Sequence, residues 1–161
     1  MTEQIILYAI LAFPLALGLV FKVNTSHVFF SLMAGELLAR YFGHDIEKIA
    51  EQNVNRTSSI PFGELALIII AMVLTAIFMR GTMSKNKIVL HLIPLAITGI
   101  VFAAFVLPIL PTDLQAGIAT SQVGSRLLEL NRAIIGGMVV LQLVSLWLFN
   151  LLGKKHGKHG E

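Results

Sequence analysis

Long apolar runs separated by short polar stretches dominate the pattern of this chain. A helix needs about 20 mostly apolar residues, each rising about 1.5 Å, to cross a hydrocarbon layer of roughly 30 Å. Runs that approach this length cover residues 5–21, 65–79, 88–110 and 133–152, with a further short run at residues 27–43. The pattern therefore predicts an all-α polytopic membrane bundle of about five transmembrane helices, folded as one domain over residues 1–161.

The run at residues 27–43 allows two interpretations, because it is short and contains Glu36 and Arg40. Its average hydrophobicity favours a helix that spans the membrane. A re-entrant or interfacial helix is the alternative, and it would reverse the side on which Lys22 lies.

Two connections, residues 44–63 and 111–132, have helical periodicity of their own and are expected to form short outer amphipathic helices. In the first connection, apolar residues recur at helical spacing and predict a helix that is either separate or continuous with the second span: Ile46, Ile49, Ala50 and Val54. In the second, Thr112 and Gln115 match a capping box, and the fifth helix is expected to begin near Ser121. Together these pieces predict a small outer cap.

The composition makes lipid the expected solvent. Hydrophobic residues make up 56% of the chain and charged residues 13%, with a mean hydropathy of +0.82, which is too apolar for a water-soluble globule of this size. The net charge of +3 comes from clusters that flank the predicted spans, which favours contact with lipid headgroups over nucleic-acid binding. These residues are Arg80, Lys85 and Lys87 in one loop and Lys154, Lys155 and Lys158 in the tail.

The same basic clusters predict the orientation. With five spans, the loop around Arg80 and the C-terminal tail at residues 153–161 fall on one side, and Lys22 joins them there. Because basic residues accumulate on the cytoplasmic side, we expect the N-terminus outside and the C-terminus inside, in a plasma (inner) membrane.

Glu36 is the most informative residue of the sequence. It lies about 13 Å along the second helix from His27, near the middle of the predicted span, where a carboxylate is costly and suggests a function. Arg40 follows four residues later on the same face and is expected to pair with it. The pair is either structural, fixing the packing of the bundle or of subunits, or part of a cation or proton pathway.

Small residues on the same helix predict a close helix contact. Ser31, Gly35 and Ala39 recur at every fourth position, which lets a second backbone approach, either inside the bundle or at a subunit interface. Gly136 and Gly137 in the fifth helix are expected to mark a close approach or a bend. Gln142 is the candidate hydrogen-bond partner of Glu36 within the bundle.

Several classes of chemistry find no support in the sequence. It contains no cysteine, its five histidines show no ligand spacing, and nucleophile, zinc-protease, phosphate-loop and dinucleotide motifs are missing. The outer carboxylates show no pairing that helical spacing would impose: Asp45, Glu47, Glu51 and Glu64. We therefore expect neither an enzyme nor a bound metal or cofactor.

Two functions remain at the level of sequence. In the first, identical subunits surround an ion or proton pathway that involves Glu36, because so few spans need oligomerisation to form a pore. In the second, the chain is a structural or accessory subunit of a membrane or envelope complex, which binds a membrane protein partner through its outer helices or tail. Membrane lipids are expected partners in both.

Overall fold

The computed structural model describes residues 2–54, 62–83, 88–129 and 132–155. These residues form seven α-helices and one 3-10 turn, Leu107–Ile109, and the described part of the chain contains no strand. The helices are α1 (Thr2–Val20), α2 (Thr25–Val54), α3 (Phe62–Phe78), α4 (Ile88–Val106), α5 (Thr112–Ala119), α6 (Gln122–Leu128) and α7 (Arg132–Lys155). The predicted all-α fold is confirmed.

The number of membrane spans is not confirmed. Two described helices are long and apolar enough to cross a membrane, over Glu3–Val20 and His91–Ile109. Two shorter apolar helices cover Phe62–Phe78 and Ile135–Trp147. The other long helix, α2, continues without a break through the predicted connection as far as Val54, so no separate amphipathic helix starts there.

The predicted second connection is wrong in two details. Thr112 does not cap α5, because Pro111 occupies the N-cap position and makes no side-chain hydrogen bond there. The side-chain amide of Gln115 donates to the Leu110 carbonyl instead, at 2.6 Å. Ser121 does start a helix, since its Oγ accepts from the Gly124 amide at 3.0 Å. That helix is α6, which ends at Leu128 and is distinct from α7.

The first antiparallel pair consists of α1 and α4. A Cβ at Gly99 would overlap the carbonyl oxygen of Leu11, so the two backbones touch at this point. The rings of Phe13 and Phe102 stack beside it with centroids 5.4 Å apart. Glycine is therefore required at position 99 by the close approach of the two helices.

The second antiparallel pair consists of α2 and α3. A Cβ at Gly35 would lie 2.9 Å from Cα of Ile68, and one at Gly63 would overlap the carbonyl oxygen of Gly43. Small residues on both helices thus bring the backbones together along most of the length of α3.

Backbone hydrogen bonds join the two pairs at one end of the bundle. The amide of Gly81 donates to the Phe21 carbonyl at 3.0 Å, and the amide of Met83 donates to the Lys22 carbonyl at 2.7 Å. Lys22 and Gly81 both have positive φ, 53° and 80°, which turns each chain back for this contact. We call this end, formed by residues 21–24 and 79–83, the basic end. It brings together Lys22 and the loop around Arg80, which were predicted to lie on the same side of the membrane.

The opposite end is covered by α5 and α6, and we call it the cap end. Gly117 of α5 lies against the Glu3 side chain at the start of α1. Ile118 is fully buried between α5, α6 and the adjoining helices. The last helix, α7, returns from this end antiparallel to α4 and packs chiefly on it.

Large apolar side chains face outward on α1, α2, α3, α4 and α7. Many of them are more than half exposed: Ile5, Tyr8, Val20, Phe30, Leu37, Tyr41, Phe42, Ile49, Phe62, Ile70, Ile77, Phe78, Ile93, Val140, Leu141 and Trp147. A monomeric protein in water rarely presents contiguous apolar surface on this scale.

We expect Gly99→Ala to destabilise the fold and Gly137→Ala to leave it unchanged or slightly more stable. Both changes add one methyl group and gain up to ~1 kcal/mol of helix propensity. The methyl group at position 99 would meet the backbone of α1, and displacing that backbone should cost about 1–3 kcal/mol. The methyl group at position 137 would meet no described atom within 4 Å. SDS-induced unfolding in mixed micelles measures the difference; equal stabilities of the two variants would contradict the close α1–α4 contact.

Candidate functional site

A cavity of about 580 Å³ lies between the two helix pairs, α6 and α7. Three charged side chains line it, Glu36 and Arg40 from α2 and Glu64 from α3. The remaining wall is built from small and apolar residues, including Ile68, Ala104, Phe105, Leu107, Leu127, Leu128, Ile135 and Val139. Its volume is within the roughly 300–1,000 Å³ that is usual for small-molecule sites.

Glu36 and Arg40 form the predicted ion pair. The Nε of Arg40 donates to Oε1 of Glu36 across one turn of α2. The two side chains differ in position, because Glu36 is 16% exposed and Arg40 is 69% exposed. The carboxylate therefore faces the cavity, while the guanidinium extends to a surface on which Leu37 and Tyr41 are also exposed.

Glu64 supplies the second carboxylate of the cavity. It lies in the first turn of α3, where the helix dipole favours a negative charge. Its side chain lies over Gly43 of α2, since a Cβ at that glycine would overlap Cγ of Glu64. The small residue at position 43 therefore lets a carboxylate from α3 reach the wall that carries Glu36. The three charges sum to one excess negative charge.

Gln142 does not lie beside Glu36, contrary to the sequence-based expectation. Its amide nitrogen donates to the Pro94 carbonyl at 3.0 Å and to Oγ1 of Thr98 at 3.2 Å, so it links α7 to α4. Thr98 also donates to Pro94, at 2.9 Å. The other amide atom, Oε1 of Gln142, is buried and has no hydrogen-bond partner among the described residues.

The small residues predicted to mark helix contacts have different surroundings. Ser31, Gly35 and Ala39 are buried, and the contact at Gly35 is with α3 of the same chain rather than with another subunit. Gly136 and Gly137 make no close approach, because no described atom lies within 4 Å of a Cβ built at either residue. Gly136 lines the cavity, whereas Gly137 is not among its lining residues.

The basic residues that were predicted to contact lipid headgroups are described only in part. Arg80 is exposed at the basic end. Lys154 and Lys155 belong to the last turn of α7, and their side chains lie outside the described part of the structure. Lys85, Lys87 and Lys158 lie outside the described residues altogether.

The described residues contain no group of three His, Cys, Asp or Glu side chains that could hold a metal ion. No protein family, curated protein or solved structure matches the chain. The cavity and its three charged residues are therefore the main basis for assigning a function.

Sequence reasoning found two of the three charged residues and missed Glu64. Glu36 and Arg40 are four residues apart on one helix, so their pairing follows from local geometry. Glu64 joins them only through the antiparallel packing of α2 and α3. The available signal was the pair of glycines, Gly43 and Gly63, which allows this close packing near the start of α3.

The hydrogen bonds of Gln142 predict which residues are energetically coupled. We expect Gln142→Leu and Thr98→Val to be non-additive by about 0.6 kcal/mol, and by no more than ~1.7 kcal/mol, which is the range for hydrogen bonds between membrane helices. Gln142→Leu and Glu36→Gln should be additive within about 0.5 kcal/mol, because they share no contact. Double-mutant cycles of unfolding in mixed micelles give both terms. Coupling between Gln142 and Glu36 would contradict the described arrangement.

Proposed function

We propose that this chain is a multi-pass protein of a plasma (inner) membrane, with five spans, the N-terminus outside and the basic end in the cytoplasm. The outward apolar side chains on α1, α2, α3, α4 and α7 support this proposal, since lipid is the solvent that such a surface suits. At 30 residues and about 1.5 Å per residue, α2 would extend about 45 Å and project beyond the bilayer at the cap end.

Within that membrane setting, the role that the geometry favours is non-enzymatic ligand binding in the Glu36 cavity. The observation that carries it is the cavity of about 580 Å³, whose lining combines three charged side chains with otherwise small and apolar residues. Charged groups in such surroundings are costly and are kept where they contact a ligand or one another. A binding role agrees with the accessory-subunit hypothesis, in which the cavity or the cap end receives the partner.

A pathway for ions or protons is the second candidate, and one observation favours it. Polar side chains meet in the half of the bundle nearer the basic end, where Oγ1 of Thr25 lies 3.0 Å from Nδ1 of His91. The cavity occupies the other half. Between them, Leu32 of α2 and Val101 of α4 are fully buried. A pathway within one chain would have to open the bundle at these two residues.

A pathway between identical subunits would instead be lined by outward-facing residues. On α7 these are Val140, Leu141 and Trp147, which suit contact with lipid or a second apolar helix better than with water. Homo-oligomerisation through such a face is compatible with the binding role, and it remains a prediction for both candidates.

The chain has no cysteine, so single introduced cysteines test the membrane topology directly. Arg80→Cys reports on the basic end and Asp113→Cys on α5 at the cap end, and both positions are exposed. In intact cells a membrane-impermeant maleimide should label Asp113→Cys, while Arg80→Cys should react only after permeabilisation. Labelling of both variants from outside would contradict the proposed five-span topology.

Proton flux in liposomes separates the two candidate functions. If the cavity is a binding site, liposomes that contain the wild-type protein should be as tight to protons as empty liposomes, under a valinomycin-driven potassium gradient with an internal pH dye. Glu36→Gln should be equally tight. A proton leak through the wild-type protein that Glu36→Gln removes would favour the pathway over the binding role. Size-exclusion chromatography would have to show that the variant keeps its oligomeric state.

A further inference from the structure

The cavity is divided chemically between its two sides. Its charged side chains all come from α2 and α3, whereas α4, the 3-10 turn, α6 and α7 contribute apolar groups. A ligand that satisfied both sides would need a charged or polar part and an apolar part. This division narrows the ligand to an amphiphile, provided that the cavity is the binding site proposed above.

The sign of the charge expected on the ligand follows from the three charged residues of the cavity. Glu36 and Glu64 bring two negative charges and Arg40 one positive charge, which leaves one excess negative charge. Arg40 lines the cavity but is 69% exposed, so its compensation of the two less exposed carboxylates is incomplete. In addition, the carboxyl-terminal end of α4, where a helix carries partial negative charge, lines the cavity through Ala104 and Phe105. A monovalent cation would balance this site.

A bare metal ion does not suit the site. The cavity of about 580 Å³ is far larger than one ion, and the described residues lack a group of three side chains able to ligate a metal. An organic cation needs no such ligand set, because it is held by charge and by contact with the walls. Its apolar part would contact wall residues such as Phe105 and Leu127.

We propose that the cavity binds a single-chain amphiphile with a monovalent cationic headgroup. The headgroup lies beside Glu36 and Glu64, and the chain lies against the apolar wall that α4, α6 and α7 build. A volume of about 580 Å³ can hold a headgroup with one short chain, but not a complete two-chain phospholipid. This inference rests on the binding role proposed above, and the test below separates the ligand class from that role.

The test uses the full chain in phosphatidylglycerol nanodiscs, because lipids with cationic headgroups would compete for the site. Equilibrium dialysis measures saturable binding of radiolabelled octyltrimethylammonium, with empty nanodiscs subtracted. Octyl glucoside and octyl sulfate serve as neutral and anionic amphiphiles of the same chain length. Tetramethylammonium serves as the headgroup alone. We expect the wild-type protein to bind octyltrimethylammonium at least tenfold more tightly than each of the other three.

Charge variants test the headgroup. Glu36→Gln should weaken the binding of octyltrimethylammonium at least tenfold. Arg40→Gln should strengthen it, because the residue that competes for the carboxylate is removed. A higher affinity of the Arg40→Gln variant for octyltrimethylammonium cannot arise from misfolding. This variant therefore keeps the test valid even if Glu36→Gln fails to fold. Unchanged or weaker binding by a folded Arg40→Gln variant would overturn the assignment of a cationic headgroup.

Two adjacent glycines provide a matched pair that tests the location. Gly136→Leu places a side chain in the open space of the cavity and should abolish saturable binding, whereas Gly137→Leu should bind as the wild type does. If octyl glucoside binds as tightly as octyltrimethylammonium and Gly136→Leu abolishes both, the cavity is a binding site but the cationic class is wrong. If tetramethylammonium alone binds as tightly, the amphiphile is wrong. If Gly136→Leu binds normally, the cavity is not the site and the proposed binding role fails with it.

Discussion

Direct backbone contact at glycines is the constraint on which the rest of this structure depends. In the membrane setting proposed above, the hydrophobic effect between helices is largely absent, so their association depends on how closely the backbones pack. Gly99 brings α4 onto α1, and Gly35 and Gly63 bring α2 and α3 together. The two pairs share a hydrophobic core over much of their length, but they leave a space between them near the cap end. The Glu36 cavity occupies that space, and α6 and α7 complete its walls.

In this arrangement one helix pair supplies the charged residues of the cavity, and the other elements supply most of its apolar wall. The α2–α3 pair carries the charged residues, and the close contact near Gly43 is what brings Glu64 to the same wall as Glu36. Arg40 pairs with Glu36 but lies mostly at the surface, where solvent or headgroups screen it. The Glu36 carboxylate is therefore the less exposed partner of the ion pair. A mostly covered carboxylate whose cationic partner lies largely at the surface suits a site that receives a second cation.

Local patterns predicted the helices well and their tertiary partners poorly. The apolar runs located α1, α3, α4 and α7 to within a few residues, because hydrophobicity defines those helices directly. The apolar run at 27–43 covers only the first part of α2, and of the two alternatives left open for the helix that follows it, continuity with the second span is the one observed, as far as Val54. The spacing of Glu36 and Arg40 predicted their ion pair, which depends on one helix only. Gln142 was paired wrongly because its true partner, Thr98, is fixed by the packing of α7 on α4, which no local pattern contains.

The elements around the cavity differ in the contacts that attach them to the rest of the bundle. Backbone hydrogen bonds between residues 21–24 and 79–83 tie the two helix pairs together at the basic end. The last helix, by contrast, packs chiefly on α4, and among the described side chains the hydrogen bonds that join it there come from Gln142, whose Oε1 has no described partner. A hydrogen bond of this kind between membrane helices contributes only about 0.6 kcal/mol. Displacing α7 therefore costs less than separating either glycine-packed pair. Because Gly136 and Val139 of that helix line the cavity, α7 is also the element whose movement would change the size of the cavity most readily.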